Sequence, residues 1–247
     1  MLSRCVEVEL TFGQVLYEQG DAVTQVYFPL DSFISLLTPG EEHASLEVGL
    51  VGDEGMLGVS LVLGVEVTSM RGLVQGTGAA LRLDAQVFQE ELERCGPLRW
   101  HLNRYVYVLM NQFAQSTACT RFHILVARLA RWLLMTHDRA HTDQFHVTHE
   151  FLSYMLGVRR VGVTNAAGML QRQQLISYRR GDITVLDRPG LEAAACSCYR
   201  EDTSIYERML GPAASASPAP RRNIARELEM RASAPERNHH GRYVNVR

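Results

Sequence analysis

The chain has 247 residues, 46% hydrophobic and 21% charged, which is enough to bury one or two cores and too apolar for a disordered chain. No run approaches the roughly 18 uncharged apolar residues that cross a bilayer, and Met1 to Glu9 carries acids where a secretory signal carries bases. The expectation is therefore a soluble, cytoplasmic protein with no membrane partner.

The net charge of −2 conceals an asymmetry. Residues 1–120 hold six Arg against fifteen acids, residues 121–211 twelve against nine, and residues 212–247 seven against three. An acidic half joined to a basic one directs the basic half toward a polyanion. All 25 basic residues are Arg, a bias that reads as genomic base composition rather than function. The five cysteines, at positions 5, 95, 119, 196 and 198, are odd in number and irregularly spaced, unlike a secreted disulfide framework.

From Glu9 to Leu83 apolar residues alternate, as in Leu46, Val48, Leu50 and in Ala79, Leu81, Leu83. Turn signals fall at Gln19-Gly20-Asp21, Thr38-Pro39-Gly40 and Gly52-Asp53-Glu54-Gly55. This spacing predicts a compact antiparallel roll, jelly-roll-like, or a sandwich over residues 1–97. After Gly96-Pro97 the period lengthens: Leu98, Leu102, Tyr105, Leu109 and Gln112 fall near heptad spacing, beside a second stripe of Val106, Met110 and Phe113. A helix over residues 98–120 follows, one face covering the roll and the other meeting a second copy, with the first five residues expected on the dimer helix.

Residues 121–211 read as a further domain. A helix from about Ile124 to His137 sets Leu125, Leu129, Trp132 and Leu133 on one side and Arg128 and Arg131 on the other. Thr148 can cap a short helix with Leu152, Met155 and Leu156 inward, Gly157 supplies a positive-φ turn, and a second helix turns Val163, Ala167 and Leu170 inward. That is helix-turn-helix spacing, and it leaves Arg160, Thr164 and Asn165 facing outward, where such helices enter the major groove. Arg pairs bidentately with guanine and Asn with adenine, each contributing roughly 1–3 kcal/mol of discrimination. Residues 175–186 read as two strands turned at Gly181-Asp182, a wing whose Arg179 and Arg180 grip phosphates. Pro189 opens a closing helix to about Leu210, and residues 212–247 read as a disordered basic tail.

These residues resemble the Crp/Fnr family of bacterial transcription regulators over nearly all of residues 10–200. The likeness rests on Thr148, Gly157-Val158-Arg159-Arg160, Val163, Leu170 and Leu175-Ile176, then Arg180-Gly181, Ile183 and Leu186-Asp187. It rests equally on the early run from Phe12-Gly13-Gln14 to Gly20-Asp21, similar to the opening strands of the family's cyclic-nucleotide-type roll. The resemblance implies an α+β chain of N-terminal roll, long dimerisation helix and C-terminal winged helix-turn-helix. It also implies a homodimer on double-stranded DNA with a twofold operator, and RNA polymerase as a further partner to consider. Thr148, His149, Arg159, Arg160, Thr164, Asn165, Arg179 and Arg180 are the expected DNA-binding set.

Two departures bear on what carries over. Arg159-Arg160-Val161 stands where the family usually has Ser-Arg-Glu, so Arg160 is kept while the acceptor for cytosine is replaced by Val161. Arg159 removes a capping hydroxyl, and Gly162 and Gly168 each weaken the helix by about 1 kcal/mol relative to Ala, so packing and DNA must hold it. In the phosphate cassette, Gly58-Val59-Ser60 puts Val where a Glu would take the ribose hydroxyl, and no Arg follows until Arg71. An effector pocket would involve Gly58, Val59, Ser60, Ser69 and Arg71, but a cyclic phosphate there lacks its charge partner, so cyclic-nucleotide control is not expected and the effector is unknown.

Other chemistry reads weakly. Cys5 stands alone, without the cysteine cluster an iron–sulfur member needs. Cys196-Ser197-Cys198, placed on the closing helix, would point its thiols apart, which suits neither disulfide nor chelate. His137 and His141, with Asp138, Asp143, His146 and His149 near, read as solvated histidines in a polar loop. No metal or other cofactor is expected. Gly76-Thr77-Gly78 leads into a strand rather than a helix, His149-Glu150 lacks a second zinc histidine, and no nucleophile elbow or phosphate loop occurs, so the chain is not read as an enzyme. The rival readings are a ligand-binding or protein-interaction module with vestigial DNA binding, and a constitutive regulator without ligand.

Overall fold

A computed structural model describes residues 1–40 and 45–211. The expected basic tail at 212–247 lies outside the described residues.

Seven strands make two antiparallel sheets: β1 (Val6–Leu10), β2 (Val15–Tyr17), β3 (Gln25–Pro29), β4 (Phe33–Pro39), β5 (Ser45–Val51), β6 (Arg71–Gly76) and β7 (Gly78–Asp84). The orders are β1-β7-β3 and β2-β6-β4-β5. Between them lie Leu10, Val26, Ile34, Leu36, Val51, Met56, Leu57, Leu61, Val74 and Leu83, all buried. The alternation expected through residues 52–70 is not strand: a 3-10 turn, Val59–Leu63, occupies part of it between Gly58 and Gly64 in left-handed conformation.

A helix not anticipated from the sequence, α1 (Ala85–Arg94), begins where Asp84 accepts from the backbone N–H groups of Gln86 and Val87, and it buries Phe88 and Leu92. Then α2 runs from Gly96 to Phe122 with Pro at its first turn. Tyr105 lies fully buried with its ring over Gly55, and Gln112 Oε1 accepts from the Leu50 N–H at 3.1 Å.

The C-terminal part holds α3 (Leu125–Ala140), β8 (Gln144–His146), α4 (His149–Leu156), α5 (Arg160–Arg172), β9 (Ile176–Arg179), β10 (Asp182–Val185), α6 (Arg188–Ala194) and α7 (Cys198–Leu210). A sheet in the order β8-β10-β9 gives the wing a third strand in place of the expected polar loop. The closing helix is two helices, because Ala195 turns extended (φ −71°, ψ 157°) before α7 starts. Helix α7 lies along α2, and Arg104 binds the last carbonyls of α7, those of Arg208 and Met209, at 3.0 and 2.5 Å.

The two parts also pack against each other. Phe33, Leu37 and Leu50 of the roll pack with Leu129, Trp132, Leu133 and Leu152 of the C-terminal domain. Polar groups cross the same seam: Gln75 Nε2 donates to Thr136 Oγ1 at 3.0 Å, and Arg139 donates to Glu54 Oε1 at 3.0 and 2.5 Å. The polar side expected for α3 is therefore corrected. Arg131 is 8% exposed and paired to Asp202 at 2.6 Å, while Arg128 donates to the Leu156 carbonyl and caps α4.

Candidate nucleic-acid interface

The α4–turn–α5 unit is built as its residue pattern dictates. Thr148 Oγ1 accepts from the Phe151 N–H at 3.1 Å, capping α4, and Gly157 takes φ +62° at the turn. Leu152, Met155 and Leu156 on α4, and Val163, Ala166, Ala167 and Leu170 on α5, are buried. Gly162 has a packing role that propensity hides: a Cβ there would sit 3.0 Å from Leu125 Cδ2, so its absence lets α5 approach α3 closely.

The opposite face of α5 is open. Arg159, Arg160, Val161, Thr164 and Asn165 are exposed, Val161 by 68%. Arg159 is the N-cap without a side-chain cap bond. Thr164 Oγ1 lies 3.1 Å from the Arg160 carbonyl and 3.0 Å from His149 Nδ1, so its single proton serves one of them. Arg179 and Arg180 stand at the tip of the β9–β10 hairpin, exposed, with Arg180 at φ +55° and Gly181 at φ +94°.

His149 differs from expectation. Its ring stacks on Tyr178 (centroids 4.2 Å apart, planes 12° apart), Nδ1 meets Thr164, and Nε2 is buried without a partner. Burial, then the nearby Arg160, lowers its pKa, which favours the neutral ring. This histidine braces α4, α5 and β9 against one another and has no free edge for a phosphate. The other histidines scatter: His137 lies between Asp143 and Arg188, at 2.7 and 2.6 Å, His146 meets Asp182 at 2.9 Å, and His141 is exposed at the end of α3.

The expected dimer residues need correction. Leu102, Tyr105, Leu109 and Gln112 are 7%, 2%, 2% and 1% exposed within the single chain, so these four are turned away from a second copy, and Leu98 is half-buried against the roll's core. The stripe that α2 leaves open is Asn103, Tyr107, Met110, Ala114, Thr117 and Arg121. Its spacing alternates four and three, the rhythm of a two-stranded seam.

In the roll, Gly58 is buried, Ser60 Oγ is buried without a partner, and Ser69 is exposed. Arg71 faces Glu18 at 3.3 Å, where both line an open cavity of about 340 Å³ with Gln19, Leu37, Pro39 and Ser45. Leu57 packs over Gly72 and fills the interior next to it.

Comparison with known proteins fits this geometry. Residues 127–194 match the model of a Crp-like helix-turn-helix domain. No curated protein matches the chain in sequence. FixK2 from Bradyrhizobium japonicum superposes with a TM-score of 0.66 at 11% identity, covering 78% of this chain and 98% of that one. Two regulators from Thermus thermophilus are similar in the same way. The CRP-family regulator TTHB099 gives 0.62 at 17% identity over 76% and 96% of the two chains, and the CRP/FNR-family regulator TTHA1359 gives 0.59 at 20% over 77% and 98%. At such identities the likeness is one of fold. Residues 127–194 are thus a Crp-like helix-turn-helix domain, and the chain shares its fold with regulators of the Crp/Fnr type.

Proposed function

We propose that the chain regulates transcription as a homodimer that reads a pseudo-palindromic duplex site with α5, in the compartment that holds the chromosome. The observation that carries this reading is the open Arg160–Val161–Thr164–Asn165 face directly opposite the buried Val163, Ala166, Ala167 and Leu170. Arg160 supplies two parallel donors for guanine and Asn165 an amide for adenine. Val161 presents an isopropyl group suited to the thymine methyl, so the operator differs from one read by Arg and Glu. Arg179 and Arg180 neutralise phosphates, and Arg159 adds a third cation at the start of α5.

The test is a gel shift on a selected pseudo-palindrome, with half-sites about 34 Å apart for two copies of α5. Affinity falls steeply with added salt. Arg160→Ala costs about 1–3 kcal/mol on the selected site and relaxes preference at one base pair of each half-site, whereas Arg180→Ala weakens all sequences alike. Unchanged site preference in Arg160→Ala refutes the readout.

The second copy docks on the open stripe of α2. Met110, 62% exposed, and Tyr107, 50% exposed, are its apolar centre. Met110→Glu places like charges across the twofold axis and is expected to weaken self-association by tenfold or more in sedimentation equilibrium, with an unchanged circular dichroism spectrum. Leu98→Ala should not act through the interface.

Cyclic nucleotide is not the controlling signal in this reading. The Val59 side chain offers no acceptor to a ribose hydroxyl, and Arg71 is already paired with the Glu18 carboxylate, which a cyclic phosphate would have to displace. The module without DNA binding is disfavoured by the same open face of α5.

A further inference from the structure

We propose that Cys119, His123, Cys196 and Cys198 form a tetrahedral site for a thiophilic divalent cation, zinc by the chemistry of its donors, that clamps the end of α2 to the junction of α6 and α7. Cys119 sits one turn before the end of α2 and His123 is that helix's C-cap, so the two project together at i, i+4. Cys196 and Cys198 do not share a helix. Cys196 lies in the break after Ala195, and Cys198 is the first residue of α7. The break turns both thiols inward, which the spacing of a continuous helix forbids.

The four donor atoms all lie within 4.8 Å of one another. Cys119 Sγ is 3.4 Å from Cys196 Sγ, and Cys198 Sγ is 3.5 Å from His123 Nδ1. A zinc ion with bonds of about 2.3 Å to sulfur and about 2.0–2.1 Å to nitrogen sets tetrahedral edges of about 3.8 Å between sulfurs and about 3.5 Å between sulfur and nitrogen. The cage matches a single ion. A polynuclear iron–sulfur cluster, with ligands on different irons, needs a wider one.

The surroundings agree. The three thiols are 3%, 8% and 3% exposed and form a cluster of their own, separate from both main cores, with Ala127 against it. Three thiolates and a neutral imidazole around a dication leave one net negative charge, and Arg128 and Arg131 line the same small cavity as Cys119. Binding releases the thiol protons. Three cysteines and a histidine from segments more than 70 residues apart in sequence meet at one point. Among the described residues, no other group of three or more His, Cys, Asp or Glu has donor atoms gathered in this way.

The site spans the bend at His123–Ile124, where α2 hands over to α3. An ion held there fixes the DNA-binding domain relative to the long helix.

The experiment purifies the full chain under reductant without chelator, measures zinc by atomic emission, and reloads stripped protein with cobalt(II). The expected result is about one zinc per chain, with thiolate-to-cobalt charge-transfer absorption and strong tetrahedral visible bands. Cys198→Ser and His123→Gln each weaken retention by tenfold or more while leaving the circular dichroism spectrum in place. In the wild-type chain, zinc protects Cys119, Cys196 and Cys198 from alkylation until chelator is added, whereas Cys5 and Cys95 stay unprotected. This readout holds even where a variant fails to fold. Stripped protein that takes up neither ion, a cobalt spectrum unchanged in Cys198→Ser, or a Cys119–Cys196 disulfide with no retained metal overturns the assignment.

Discussion

Replacing Asp202 by Ala is expected to lower the unfolding free energy by about 3–5 kcal/mol, the range for stripping one partner from a buried ion pair. Asp202 is 4% exposed and Arg131 8%. Arg131 donates to Asp202 Oδ2 from Nε at 3.1 Å and from Nη2 at 2.6 Å, and Nη2 also reaches Ser116 Oγ at 3.3 Å. Burial drives the Asp202 pKa up while Arg131 opposes it, the signature of a carboxylate that depends on its cation. Alanine removes the carboxylate and strands the guanidinium inside, where α2, α3 and α7 converge. The pair is not expected to be irreplaceable: Arg131→Met with Asp202→Leu should recover most of the loss, since an apolar pair leaves no charge to desolvate. Urea denaturation followed at 222 nm gives both numbers. A loss of less than about 1 kcal/mol in Asp202→Ala would show that solvent reaches Arg131 after all.

What residue order alone reveals divides along physical lines. The faces of α4 and α5 are legible because Leu152, Met155, Leu156, Val163, Ala167 and Leu170 keep a helical period and Gly157 marks the turn between them. The paired sheets of the roll are legible from alternation. Arg131 and Arg139 are not, because a charge is buried only when a partner arrives, and theirs, Asp202 and Glu54, stand 71 and 85 residues away in sequence. The faces of α2 are misassigned by spacing because two apolar stripes flank the helix, and spacing does not say which one the subunit's own roll will cover. The break at Ala195 carries no Gly or Pro of its own, so the pattern predicts one helix where two form, and with it sets the thiols of Cys196 and Cys198 apart. Strand β8 is too short to signal itself, whereas α1 carries a signal that the reading passes over: Asp84 ahead of Val87, Phe88 and Leu92 is a capped amphipathic turn in plain sight.

Stability is expected to fall as pH rises from about 4.5 through 7, and Glu47 is the group responsible for about 3 kcal/mol of that fall. Glu47 sits on β5 at the seam, with Ser35 and Gln75 of the roll on one side and Arg131, Trp132 and Arg139 of α3 on the other. Burial raises its pKa from 4.5 to about 7, while the Ser35 hydroxyl and the two guanidiniums pull the other way. One arrangement of protons along the neighbouring chain of polar groups accommodates the protonated form that burial favours. Ser35 Oγ is 2.8 Å from Glu47 Oε2 and 2.5 Å from Gln75 Oε1, yet it has one proton to give. A neutral Glu47 donates to Ser35, Ser35 donates to Gln75, and Gln75 Nε2 donates to Thr136 Oγ1, so every link is satisfied. The sign follows: below about 4.5 folded and unfolded chains are both protonated and the contribution is complete; between 4.5 and 7 the unfolded chain binds fewer protons than the folded one, and stability is lost until the folded carboxyl ionises as well. At about 1.4 kcal/mol for each pKa unit, the window amounts to about 3 kcal/mol. Glu47→Gln keeps a donor toward Ser35 and does not titrate, so it should match the parent near pH 4.5 and exceed it by up to about 3 kcal/mol at pH 8. The difference between the two urea-denaturation profiles isolates Glu47 from other titrating groups, and parallel profiles from pH 4.5 to 8 would show that this carboxyl is ionised throughout.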